Sequence, residues 1–133
     1  MDSYIGVIVI RAKGDLMSEK LALFTSLGQM MTKSNSQGHL KALGIEVVKV
    51  EIGKVLMKLT YHNDLVASPE TGIIAGGAVT ALLDTCSGFV SSTTLEPMGI
   101  TATIDLRVDY LRAPELNKPI YAEVEVLRTT QFV

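Results

Sequence analysis

The sequence has one cysteine and no tryptophan, and charged residues make up only 20% of its 133 positions. Because a single cysteine cannot form an internal disulfide, the chain has no need of an oxidising compartment, and we expect it in the cytoplasm. Three Phe and four Tyr leave few platforms for stacking bases, and the net charge of −2 is too balanced to attract nucleic acid or an anionic membrane. We therefore expect neither nucleic acid nor a membrane as a partner.

The chain also lacks a basic N-terminal segment and a long apolar run. The apolar stretch 5–10 is too short to span a bilayer, and the residues before it carry no positive side chain of the kind that begins a signal peptide. The length predicts one domain, 1–133, in which residues 1–39 form an N-terminal strand and helix extension. Hydrophobic residues reach 47% and the mean hydropathy is +0.33, which favours a buried subunit interface.

Two segments have the one-sided apolar pattern of helices. The first is 18–32, with Ser18 as its N-cap, and the second is 76–92. One arc of the second helix is apolar and predicts core packing: Ala78, Val79, Leu82, Leu83, Cys86, Phe89 and Val90. The opposite arc is small and almost uncharged: Gly77, Thr80, Ala81, Asp84, Ser87, Gly88 and Ser91. Because small residues permit close approach, we expect this second face to meet another chain or a ligand.

The remaining apolar patterns predict strands. Segments 45–52 and 55–61 are rich in β-branched residues and predict a hairpin, with Gly53-Lys54 as a type II′ turn. Alternating apolar and polar residues at 101–112 and 120–128 predict two half-buried antiparallel strands, and 131–133 predicts the start of another. This order of elements defines an α+β domain, in which a helix packs against an antiparallel sheet.

The strongest candidate for a functional site surrounds the start of the second helix. It comprises the run SPETGIIAGG, from Ser68 to Gly77, and Asp84 about two turns into the helix. Free N–H groups at a helix start stabilise a developing oxyanion, and a carboxylate nearby can serve as general base or nucleophile. The residues alone leave a second interpretation open, in which the glycines only permit close packing and Asp84 is a solvated side chain.

That run, continued to Gly88, together with TATIDLRVDYLRAP at 101–114, resembles the hotdog-fold acyl-CoA thioesterases of the phenylacetic-acid-degradation type. The similarity covers residues 40–133. It implies a hotdog fold, in which an antiparallel sheet wraps a long central helix, and a homodimer or homotetramer with active sites between protomers. The family has two further strands after the position of 120–128, so the resemblance predicts that the chain lacks its last strands.

The resemblance also implies roles for single residues. Asp84 matches the catalytic aspartate, and Gly76 matches the glycine whose N–H polarises the thioester carbonyl. Ser68 stands where the family has a water-orienting Asn, and Ala75 stands where it has His. The Ser68 hydroxyl can still form a hydrogen bond, whereas the Ala75 side chain has no polar group. Thr103 matches a secondary Ser or Thr on the partner protomer's strand.

The implied reaction is hydrolysis of an acyl-CoA thioester to the free acid and CoA, with no metal and no cofactor. Gly77 and Ala75 would contact the substrate, and Arg112 would meet a CoA phosphate, with a solvated arginine at a strand end as an equal alternative. Cys86 lies on the apolar arc and the two histidines lie in polar loops, so nucleophilic and metal-binding roles are disfavoured. Two other functions stay open: a non-catalytic acyl-CoA-binding protein and a purely structural oligomerisation module.

Overall fold

The computed structural model describes residues 3–7, 10–11, 17–32 and 38–129. The predicted strand start at 131–133 lies outside these ranges. In chain order the elements are β1 (Ser3–Val7), β2 (Ile10–Arg11), α1 (Met17–Thr32), α2 (His39–Leu43), β3 (Ile45–Glu51), β4 (Lys54–Leu59), a 3-10 helix (Asn63–Leu65), α3 (Gly76–Thr94), β5 (Ile120–Glu125) and β6 (Leu127–Arg128). The long helix α3 packs on a largely antiparallel sheet, which confirms the predicted α+β class.

The main sheet has four strands in the order β1-β5-β4-β3. Strand β4 is antiparallel to both of its neighbours, β3 and β5, whereas β1 runs parallel to β5. A second sheet pairs β2 with β6 in parallel. Alternate side chains of β4 and β5 are buried in the core: Val55, Met57, Leu59, Ile120, Ala122 and Val124. This alternation confirms the half-buried strand predicted at the start of 120–128.

The hairpin turn between β3 and β4 lies one residue earlier than predicted. Glu51 pairs with Lys54, so the loop consists of Ile52 and Gly53, and Lys54 already belongs to β4. Gly53 has a φ of +78° at the second loop position, whereas a type II′ turn requires a positive φ at the first. The predicted II′ turn at Gly53-Lys54 is therefore wrong. The Gly53 N–H donates to the buried Thr93 hydroxyl at 2.8 Å, which fastens this turn to the end of α3.

The core lies between the sheet and α3. Six of the seven residues on the predicted apolar arc are buried: Ala78, Val79, Leu82, Leu83, Cys86 and Val90. The seventh, Phe89, is half-buried. The helix begins at Gly76 as predicted and extends two residues past the predicted end. Its opposite, small-residue face points away from the sheet, so the amphipathic pattern correctly predicted which side of α3 lies outside the core.

Helix α1 packs across β3 and the end of α3. It begins at Met17, one residue before Ser18, so the prediction of Ser18 as the N-cap is wrong. A Cβ atom on Gly28 would lie 3.0 Å from Val47 Cγ1, which shows how closely α1 approaches β3. At the other contact the Lys20 ammonium donates to the Leu95 carbonyl at 2.7 Å. The first contact holds α1 against β3, and the second holds it beside the end of α3.

Residues 101–112 form no strand, contrary to prediction. Both edges of β5 are already paired, with β4 and with β1, so no ladder position beside β5 is available to them. The segment instead crosses the small-residue face of α3, where Thr101 donates to the Gly88 carbonyl at 3.1 Å and Tyr110 donates to the Gly76 carbonyl at 2.9 Å. The residues predicted to face the core are half-buried or exposed: Ile104, Leu106, Val108 and Tyr110.

Candidate active site

The loop before α3 doubles back on itself and so determines where the helix begins. Ile74 forms an antiparallel bridge with Val66. One residue further along, the Ala75 N–H donates to the Leu65 carbonyl at 2.8 Å. Ala75 is the N-cap and has an extended backbone, with φ −60° and ψ 135°. The start of α3 is therefore anchored to the last residue of the 3-10 helix by this backbone hydrogen bond.

Ser68 begins a tight turn within this loop. Its carbonyl accepts hydrogen bonds from the N–H of Thr71 at 3.1 Å and from the N–H of Gly72 at 3.0 Å. Gly72 has a φ of +66°, which glycine adopts without steric cost, and its carbonyl accepts from the Tyr61 hydroxyl at 3.0 Å. The Ser68 side chain is half-buried, and its hydroxyl has no hydrogen-bond partner within the described ranges. The Thr and Gly of SPETG thus build the turn, and the Ser68 hydroxyl stays available.

The first two residues of α3, Gly76 and Gly77, present N–H groups that the helix itself cannot satisfy. An N-cap side chain with an oxygen atom normally accepts from this region, but Ala75 has none, and α3 has no side-chain cap. Both glycines are exposed, and a Cβ atom on Gly77 would meet nothing within 4 Å. The absence of a polar group at Ala75 therefore leaves these donors open to an incoming carbonyl oxygen.

Tyr110 lies over the same helix start, and the sequence alone did not indicate it. Its hydroxyl donates to the Gly76 carbonyl and lies 2.9 Å from the Thr80 hydroxyl, which we take as the second donor since Tyr110 has one proton. A Cβ atom on Gly76 would lie 3.3 Å from the Tyr110 oxygen. The alternating pattern of 101–112 placed Tyr110 among inward-facing residues of a strand, so only the three-dimensional structure shows its contact with Gly76.

Asp84 lies exposed on the outer face of α3, two turns beyond Gly76. Its Oδ1 atom accepts a hydrogen bond of 2.6 Å from the Thr103 hydroxyl. In the described residues Oδ2 has no partner. The structure thus brings together two residues that the sequence analysis proposed for the site, and Thr103 orients the Asp84 carboxylate.

The other site residues are not all within reach of Asp84. Asp84 lies eight helical steps after Gly76, a rise of about 12 Å, whereas reacting atoms must approach to roughly 3–3.5 Å. Arg112 is exposed and has no ion-pair or hydrogen-bond partner among the described residues. A single chain therefore does not bring the Gly76 N–H and its own Asp84 to one carbonyl group.

Cys86 takes no part in this site. It is fully buried on the sheet side of α3, and burial raises the pKa of its thiol to about 12 because the thiolate would be desolvated. This burial confirms the prediction that Cys86 is a core residue. Within the described ranges no cluster of His, Cys, Asp and Glu could hold a metal ion, and no helix is long and apolar enough to cross a bilayer.

The sheet and the long helix packed on it together define a hotdog fold. The family model of the thioesterase superfamily matches residues 71–132. A protein of known structure from Pseudomonas aeruginosa is 30% identical, with 88% of this chain and 79% of that chain covered and a TM-score of 0.63. The chain belongs to the thioesterase superfamily.

Two further solved structures share the fold. The Escherichia coli PaaI protein, from the phenylacetic acid degradation operon, is 17% identical over 86% of this chain and 76% of its own, with a TM-score of 0.66. Zebra fish thioesterase superfamily member 2 is 20% identical over 81% of this chain and 78% of its own, also with a TM-score of 0.66. A comparison with curated proteins found no match. These likenesses confirm the hotdog fold expected from the sequence.

Proposed function

We propose that the protein hydrolyses acyl-CoA thioesters to the free acid and CoA. The observation that carries this proposal is the Asp84 carboxylate, oriented by the Thr103 hydroxyl at 2.6 Å in the wall of a 550 Å³ cavity, in a chain of the thioesterase superfamily. Hydrolysis needs a base or nucleophile and donors for the oxyanion, and the outer face of α3 carries both. The thiolate of CoA is a good leaving group, so this mechanism calls on no metal.

The proposed site forms between two copies of the chain. Because about 12 Å of helix separates the two groups in one chain, the Gly76 N–H would act together with Asp84 of the partner subunit. Exposed apolar side chains on the segment that crosses α3 support such an assembly, since Ile104 is 80% and Leu111 is 94% exposed in the single chain. A homodimer is the smallest assembly that provides two complete sites, and a homotetramer contains the same pair.

Each site residue has a defined task in this mechanism. The N–H groups of Gly76 and Gly77 stabilise the negative charge that develops on the thioester oxygen. Asp84 activates a water molecule or attacks the carbonyl carbon directly, and Thr103 positions its carboxylate. Ser68 contributes a free hydroxyl to the water or the carbonyl.

Three finer proposals accompany the reaction. Arg112, which has no partner among the described residues, would bind a CoA phosphate. The phenylacetic-acid-degradation type is our proposal for the branch of the superfamily, and it rests on the SPETG run and the 101–114 motif. The cytoplasm is our proposal for the compartment, because the only cysteine is a buried free thiol.

The experiment is a steady-state assay against a panel of acyl-CoA thioesters, with Asp84→Asn as the test variant. Asparagine keeps the size of the side chain and removes its charge, so folding and binding persist while kcat falls at least ~10²-fold. Asp105→Asn is the matched control, since Asp105 is an exposed carboxylate on the same segment as Thr103. Equal activity in wild type and Asp84→Asn would overturn the assignment.

A non-catalytic acyl-CoA-binding protein is the second candidate. One observation favours it: Ala75 provides no polar side chain beside the free helix N-terminus. This candidate predicts binding of acyl-CoA by calorimetry with no release of free thiol from any thioester of the panel. Turnover by wild type that depends on Asp84 would exclude it.

A further inference from the structure

Two adjoining cavities lie along the outer side of α3. The first, of 550 Å³, contains Asp84 and Thr103 in its wall. The second, of 680 Å³, lies between α1, α3 and the loop after α3. The two cavities share four wall residues: Met31, Phe89, Ser92 and Ile100. They therefore form one continuous groove that begins at the proposed catalytic carboxylate.

The chemical character of the groove changes along its length. Near Asp84 the wall contains hydroxyl groups: Thr85, Ser92, Thr101 and Thr103. At the far end the wall is apolar except for Ser92 and the glycine: Phe24, Leu27, Met30, Met31, Leu40, Phe89, Met98, Gly99 and Ile100. Among the residues that the structure describes, neither wall contains a lysine or an arginine. Because the phosphates of CoA require cationic partners, this groove suits the acyl end of the substrate and not the nucleotide end.

The floor of the apolar end contains two aromatic rings in contact. Phe24 of α1 is 3% exposed and meets Phe89 of α3 edge to face, with ring centroids 5.7 Å apart. Lys20 adds the hydrogen bond to the Leu95 carbonyl that holds α1 beside α3. These contacts join the two helices on either side of the groove.

The rim, in contrast, consists of adaptable side chains. Met30 is 64% exposed and Met98 is 54% exposed, although both line the apolar end. Methionine is unbranched and polarizable, and it adjusts to ligands of different shape. Two exposed methionines in the wall of an apolar groove can therefore adjust to a flexible hydrocarbon chain.

From these observations we propose that the groove between α1 and α3 binds the hydrocarbon chain of an aliphatic acyl-CoA, with the thioester at Asp84 and the chain directed towards Met98. The proposal rests on the proposed thioesterase function and adds a substrate class to it. From Asp84 to Ser92 the helix rises about 12 Å, so chains of medium length reach the methionine rim and short chains do not. The protein therefore prefers medium-length aliphatic thioesters to short ones.

The test measures kcat/KM for butanoyl-CoA and decanoyl-CoA. Burial of a methylene is worth up to about fourfold, so the six additional methylenes in a partly open groove raise kcat/KM by roughly 10²-fold. The double variant Met30→Gln/Met98→Gln keeps the side-chain length. It lowers the ratio of kcat/KM for decanoyl-CoA to kcat/KM for butanoyl-CoA by about tenfold or more. Val48→Gln is the control, since Val48 is a half-exposed apolar residue on β3, away from the groove, and it leaves the ratio unchanged.

A binding experiment separates this proposal from the proposed function. The thioether S-decyl-CoA cannot be hydrolysed, and its affinity is measured by calorimetry for wild type and for the double variant. If wild type binds it more tightly than S-butyl-CoA and the variant loses the difference, the groove proposal stands even if no thioester is hydrolysed. If thioesters are hydrolysed without chain-length preference, the groove proposal fails while the thioesterase function stands. A change in oligomeric state of the double variant by light scattering, with the ratio unchanged, would show that a second copy covers the groove and would overturn the proposal.

Discussion

Gly76 allows the most specific single test of the site, because a substitution can remove its N–H hydrogen and change little else. Gly76 is the first residue of α3, and the N–H at this position is not needed by the helix. Proline is favoured there, and the extended backbone of Ala75, with ψ 135°, is the conformation that a residue before proline adopts. Gly76→Pro therefore deletes the proposed oxyanion donor and leaves the first helical hydrogen bonds, from Ala78 and Val79 to the Ala75 carbonyl, in place.

The expected loss follows from the task of that donor. Removal of one oxyanion-hole donor lowers kcat by about 10²–10³-fold, or roughly 3–4 kcal/mol. Gly76→Ala is the matched control, since it keeps the N–H and adds the same Cβ atom 3.3 Å from the Tyr110 oxygen. That oxygen ends a flexible side chain, so a shift of a few tenths of an ångström accommodates the new atom. We expect kcat of Gly76→Ala to stay within about threefold of wild type, with folding unharmed.

The assay is the release of CoA thiol from decanoyl-CoA, followed together with thermal unfolding by circular dichroism. We expect both variants to unfold cooperatively near the wild-type Tm and only Gly76→Pro to lose turnover. Equal losses in the two variants would refute it, because the added Cβ atom and not the missing N–H would then be responsible. Full activity in Gly76→Pro would refute it as well.

Three further predictions concern residues around the site. Ala75→His, which restores the family residue beside the free N–H groups, is expected to raise kcat about tenfold if the site is a weakened thioesterase; a decrease in an intact fold would contradict that interpretation. Thr103→Val removes the hydroxyl that orients Asp84 and is expected to lower kcat about tenfold, while Thr103→Ser retains most of it; equal kcat for the two variants would exclude a positioning role. The raised pKa of Cys86, about 12 in the folded chain, means that the unfolded state loses its thiol proton first as the pH rises. Above pH ~9 the free energy of unfolding should therefore fall more steeply in wild type than in Cys86→Ala, by up to about 1.4 kcal/mol per pH unit. Urea unfolding at a series of pH values measures this free energy, and the same pH dependence in the two proteins would contradict the prediction.

Local pattern predicted most of the layers of the fold, because burial on one side imposes a period on the sequence. The apolar arc of α3 and the alternation along β4 and β5 were correct for this reason. The hairpin turn was placed one residue too late, because a glycine fits either loop position and its φ decides between them. The strand predicted for residues 101–112 was wrong. Alternation shows that a segment has an apolar face and a polar face. It does not show whether the segment pairs with a neighbouring strand or lies across a helix.

The site was predictable to the extent that it depends on residue types in one motif. Asp84 and Thr103 were singled out from the sequence, and the structure brings their side chains into contact. Tyr110 was missed because its partner, the Gly76 carbonyl, is a backbone atom distant in sequence. The free N–H groups at the start of α3 were expected, but the contribution of Ala75, which leaves them uncapped, became visible only from the structure.

The central claim is that one active site takes Gly76 from one protomer and Asp84 of the partner subunit. The most direct test is to co-express Gly76→Pro and Asp84→Asn, each inactive alone, and to measure acyl-CoA hydrolysis of the purified mixture. In a two-fold dimer, half of the molecules are mixed and one of their two sites is intact, so the account predicts recovery of about a quarter of wild-type activity. Mixed dimers that form, as shown by differently tagged chains, and yet remain inactive would contradict the account.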